Sequence, residues 1–71
     1  MNSNLLRAEI VKNGDTQASL AQQMGLQVSA LSMRISGKIE FRRNEILFIK
    51  KRYGLTAEET DRIFFEDAVS A

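Results

Sequence analysis

The side chains able to do chemistry in this 71-residue chain are cations, carboxylates, amides and hydroxyls, because His and Cys are both absent. Without imidazole or thiolate there is no general base poised at neutral pH, no sulfur nucleophile and no soft ligand set for zinc, iron–sulfur or haem. Glu58 and Glu59 are adjacent, so on a helix they point apart instead of forming an acid–base pair, and no Gly-rich phosphate loop occurs. The expectation is a protein that is not an enzyme and uses no cofactor, metal or small-molecule substrate. What remains suits binding: the amides Gln17 and Gln27, the hydroxyls Ser29, Ser32 and Ser36, and a run of cations from Arg34 to Arg52.

Five short helices must position these groups. Gly and turn-type residues cut the chain into helical segments, with no period-2 alternation long enough for a strand. The first, about Asn4 to Asn13, carries Leu6 and Ile10 and stops at Gly14. The second starts at Thr16, an N-cap residue type, and places Leu20, Ala21 and Met24 at helical spacing before Gly25. A third, about Gln27 to Ser36, has Ala30, Leu31 and Ile35 on one face and ends at Gly37. The fourth, about Arg43 to Tyr53, buries Ile46, Ile49 and Tyr53 and closes at Gly54. The fifth opens on Thr56-Ala57-Glu58-Glu59, a capping box, and turns Ile63, Phe64 and Phe65 inward. The fold class is all-α, one domain over residues 1–71, with no linker or internal repeat.

Charge placed on these helices becomes informative. The net value is only +1. Residues 34–53, however, hold Arg34, Lys38, Arg42, Arg43, Lys50, Lys51 and Arg52 against Glu40 and Glu45, a local balance of +5. Residues 54–71 hold Arg62 against Glu58, Glu59, Asp61, Glu66 and Asp67, a balance of −4, while residues 1–33 cancel. Arg42 and Arg43 stand where a helix begins and oppose its macrodipole, a cost that a bound anion would relieve. Lys50, Lys51 and Arg52 stand at the favourable end of that helix and read as structural.

The stretch from Thr16 to Lys38 is the most constrained. Two short helices joined by a tight turn need a small residue where their backbones approach and a glycine where the chain reverses, and Ala21 and Gly25 occupy those places. With Thr16-Gln17, Leu20-Ala21, Gly25-Leu26, Leu31-Ser32 and Gly37, this stretch resembles the helix-turn-helix domains of the lambdoid phage repressor and Cro family. The likeness extends more weakly over nearly the whole chain. There are departures. Members often pair an Arg late in the first helix with a Glu late in the third; the matching positions here are Ile10 and Ile35, an apolar replacement. Asp15 stands where an apolar residue is common, and Ser19 replaces the usual Glu of the second helix's capping box, which leaves the start of that helix less well determined.

The resemblance implies a compact five-helix, lambda-repressor-like DNA-binding domain, with helix-turn-helix about residues 16–37 and recognition helix about 27–36 in the major groove. Carried over residue by residue, base-facing positions are Gln27, Val28, Ser29, Ser32 and Met33, with Arg34 reaching a phosphate or guanine. Gln17, Ser36, Lys38, Arg42 and Arg43 would touch the DNA backbone. The family binds as a symmetric dimer, which assigns Leu55, Thr56, Ala57 and Glu58 to the dimer contact; Leu47, Phe48, Phe64 and Phe65 exceed the needs of a small core and divide between core and that contact. The implied function is sequence-specific recognition of double-stranded DNA by a homodimeric regulator, either a Cro-like protein or a repressor head. The competing reading is a protein-interaction module on the same fold, antirepressor or antitoxin-like, because Val28 and Met33 stand where a base reader would often carry Arg or Asn. No basic-then-apolar leader and no apolar run beyond Ile46 to Ile49 are present, so the expectation is no membrane partner and a cytoplasmic, bacterial or phage-encoded protein.

Overall fold

A helix leaves its first backbone amides without partners, and at the start of three helices here a side chain supplies one. In the computed structural model, which describes residues 1–66, Asn2 opens α1 (Ser3–Lys12) by accepting from the Leu5 N–H at 3.1 Å. Thr16 opens α2 (Gln17–Met24), and Thr56 opens α5 (Ala57–Phe64). Between them lie α3 (Val28–Ile35) and α4 (Arg43–Tyr53), so the described residues are all-helical, in five helices and without a strand. The expected weakness at the start of α2 is corrected by Ser19. Its hydroxyl accepts from the Thr16 N–H at 2.9 Å, the Thr16 hydroxyl accepts from the Ser19 N–H at 3.1 Å, and the box closes without a glutamate.

One core joins the helices. Leu6, Leu20, Leu31, Ile35 and Ile49 are fully enclosed, with Ile10, Ala21, Leu55, Ile63 and Phe64 around them. Ile10 and Ile35 both belong to it, so the contact between α1 and α3 there is apolar, without an ion pair. α2 packs on α3, α1 on α3 and α5, and α4 on α5. The first residues tie these layers: the Asn2 N–H donates to the Ile63 carbonyl at 2.6 Å, and the Ser3 hydroxyl donates to the Ile35 carbonyl. Gly25 ends α2 at φ 72°, a left-handed conformation that lets the chain reverse into α3 within residues 25–27. No described helix is long and apolar enough to cross a membrane.

Asp15 makes the longest-range side-chain hydrogen bonds among the described residues. Its carboxylate accepts from Arg52 Nε at 2.9 Å and Nη2 at 3.0 Å, from the Tyr53 hydroxyl at 2.7 Å and from the Ser19 hydroxyl at 2.9 Å. The turn between α1 and α2 is thereby bound to the C-terminal end of α4. Tyr53 packs against the core from α4, half-buried, and its hydroxyl donates to this carboxylate. Hydrogen bonds from Arg52 and then Tyr53 hold the Asp15 carboxyl well below the usual carboxylate range, while burial, reinforced by Asp15, pushes the Tyr53 hydroxyl up.

Two stability outcomes follow. Nothing lies within 4 Å of a Cβ added at Gly25, so Gly25→Ala meets only the backbone penalty and lowers stability by about 1 kcal/mol in urea denaturation. Because the folded Asp15 carboxyl titrates below its unfolded counterpart, its stabilisation is complete above about pH 4 and is lost as pH falls. Denaturation midpoints measured from pH 7 down to pH 2 will therefore show the advantage of the native chain over Asp15→Asn shrinking below about pH 4; a constant difference across that range would contradict the assignment.

Candidate nucleic-acid interface

α3 turns Leu31 and Ile35 into the core, and the 3.6-residue period then puts residues 28, 29, 32 and 33 outward. The structure places all of Val28, Ser29, Ser32 and Met33 on the exposed side, with Gln27 at the N-cap and Ser36 at the C-cap also exposed. Val28 is 47% and Met33 44% exposed, which removes them from the core. The Gln27 side chain makes no capping hydrogen bond, so its amide is not committed to the helix. Ser36 donates to the Met33 carbonyl at 3.0 Å. Lys38 is exposed in the following loop, and Gln17 is half-buried in the first turn of α2.

Arg34 is a correction. It shares the inner flank of α3 with Leu31 and Ile35, and only 11% of its side chain is exposed. Its Nε donates to Glu45 Oε1 at 3.0 Å and its Nη1 to the Ala30 carbonyl at 3.0 Å. The same Glu45 oxygen accepts from the Arg42 N–H at 2.8 Å, in the N3 position of α4. With Nε and Nη1 engaged and its side chain largely buried, Arg34 is held on the inner flank of the helix. Glu45 instead relieves the start of α4, where Arg42 and Arg43 oppose the macrodipole. Both arginines are exposed, and Arg43 lines a groove of about 460 Å³ between α4 and α5 together with Leu47, Lys50, Ala57, Asp61 and Phe65.

The residues assigned to a dimer contact also separate. Leu55 is a second correction: it is 7% exposed and belongs to the core, because the left-handed Gly54 turns the chain inward there. Thr56, Ala57 and Glu58 are exposed. Glu59 accepts from the Thr56 N–H at 2.9 Å, and the backbone hydrogen bond lowers its carboxyl below the ordinary value. Phe64 is buried edge-on to Phe41, ring centroids 5.3 Å apart, whereas Phe65 at 66% and Leu47 at 52% remain on the surface. Asp67, counted in the acidic run, lies outside the described residues.

The site as built offers an outward-facing helix of short polar and apolar side chains, with Lys38 exposed in the loop after it and Arg42 and Arg43 exposed at the start of α4, none of them forming an ion pair among the described residues. No three His, Cys, Asp or Glu side chains among those residues gather where they could hold a metal ion. Compared with family models, curated proteins and solved structures, the chain matches none. Sequence reasoning missed Glu45 and Asp15 as anchors. Glu45 did carry a local signal, a carboxylate three residues after a helix start; Arg52 and Tyr53, the distant partners of Asp15, lie 37 and 38 residues away and carried none.

Glu45→Ala strands the Arg34 guanidinium in a nearly dry site and frees the Arg42 amide, so urea denaturation will show a loss of about 3 kcal/mol. Replacing the pair together, Arg34→Met with Glu45→Leu, recovers most of it, since no charge is then buried unpaired.

Proposed function

We propose that the chain binds double-stranded DNA sequence-specifically, as a Cro-like or repressor-like regulator of transcription, with α2 and α3 as its helix-turn-helix and α3 in the major groove. The observation that carries this reading is the outward face of α3: Gln27, Val28, Ser29, Ser32 and Met33 form one exposed stripe. α3 is eight residues long, a length that a major groove admits. Lys38 and Arg42 supply phosphate contacts, with Arg43 beside them and the amide of Gln17 and hydroxyl of Ser36 fixing register.

A second copy on the adjoining half-site completes the interface, since one unit of this size covers few base pairs. The groove between α4 and α5 is its contact. Leu47 and Phe65 expose apolar surface there, Ala57 leaves room for an approaching chain, and Thr56 and Glu58 flank it. The protein-interaction reading draws on the exposure of Val28 and Met33, joined by Ile39 at 41%, and gives the opposite outcome in the same experiment.

That experiment is selection of bound duplexes from a random pool at moderate salt. Enrichment of a palindrome with half-site centres about 10 base pairs apart supports the reading, and the absence of any enriched sequence contradicts it. With Arg34 engaged internally, about three cations per subunit neutralise phosphates, giving a log–log salt slope of about −3 per subunit. Arg42→Ala will weaken specific and random duplexes alike, whereas Ser29→Ala will alter the selected sequence.

A further inference from the structure

We infer that base recognition by this chain depends on the C5 methyl groups of pyrimidines, read by Val28 and Met33, more than on guanine. The inference rests on the DNA-binding reading and adds to it the class of base edge that is read. Guanine is distinguished in the major groove chiefly by Arg or Lys spanning its O6 and N7. α3 contains a single cation, Arg34, and its guanidinium is held at 3.0 Å by Glu45 and at 3.0 Å by the Ala30 carbonyl on the inner side of the helix. The nearest other cation in sequence, Lys38, lies beyond the end of α3.

What α3 does present outward is two hydroxyls bracketed by two apolar side chains. At 3.6 residues per turn, Val28, Ser32, Ser29 and Met33 follow one another around the helix in that order, so the serines occupy the centre of the exposed face and Val28 and Met33 its two edges. Hydroxyls accept or donate to several bases and discriminate weakly. A valine and a methionine about half exposed have surface to bury and no hydrogen bond to offer, and the group in the major groove that rewards them is the methyl carbon of thymine. Lys38 and Arg42, exposed and without an ion-pair partner among the described residues, provide the charge that complements a polyanion on this face. Because Val28 and Met33 stand on opposite edges of the helix, each half-site contains two such methyl contacts, at separate positions.

The test uses the intact chain and a duplex enriched by selection. Each thymine of one half-site is replaced in turn by deoxyuridine, which removes only the methyl group and keeps every hydrogen-bonding atom. Binding by fluorescence anisotropy will weaken about fourfold at each of two positions, the equivalent of one buried methyl group. Val28→Ala will abolish the thymine preference at one position and Met33→Ala at the other, while Ser29→Ala leaves both; circular dichroism verifies that the variants, changed at exposed positions, remain helical. If a selected duplex binds but tolerates deoxyuridine at every thymine, or contains none, or keeps its thymine preference in both apolar variants, the methyl inference is wrong and DNA binding stands. If no duplex is enriched at all, both fall together.

Discussion

The carboxylate of Glu45 is the constraint on which the relation between α3 and α4 depends. It receives the Arg34 guanidinium from one helix and the Arg42 backbone amide from the start of the next, so two elements separated by a seven-residue loop, residues 36–42, share one anchor. Buried ion pairs contribute little net stability, because desolvation offsets most of the attraction. The consequence here is positional. The pair fixes where the exposed cations of the loop and of α4 stand relative to α3, and it takes the only charge of α3 away from its outer face.

Charge in this molecule is thus sorted by use. Arg34 and Arg52, two of the seven cations between residues 34 and 53, are engaged with Glu45 and Asp15, and these ties hold one end of α4 to α3 and the other to the turn before α2. The cations left at the surface, Lys38, Arg42 and Arg43 among them, lie near the exposed edge of the molecule rather than within it. A count of charges along the chain gives their sum but not this division.

The two exposed apolar surfaces differ in kind. On α3, Val28 and Met33 flank serines on a convex helix face, suited to a groove in a partner. Between α4 and α5, Leu47 and Phe65 border a concavity, suited to receiving side chains from another chain. The proposed dimeric DNA-binding function draws on both surfaces, because neither alone would secure enough contact.

The local pattern of the sequence determined the five helices, their glycine stops, the residues Leu6, Leu20, Leu31, Ile35 and Ile49 that fill the core, and the outward positions of α3. All of these follow from a 3.6-residue period and from caps that act within three or four residues. Tertiary structure decided the rest. Arg34 lies on the flank of its helix, where periodicity assigns neither side, and a carboxylate 11 residues away drew it inward. Leu55 entered the core instead of a dimer contact because a left-handed glycine precedes it, and Asp15 acquired its role from side chains 37 and 38 residues distant. A residue at the boundary of an element takes its direction from what packs against it, and that neighbour is set by the whole chain rather than by the segment.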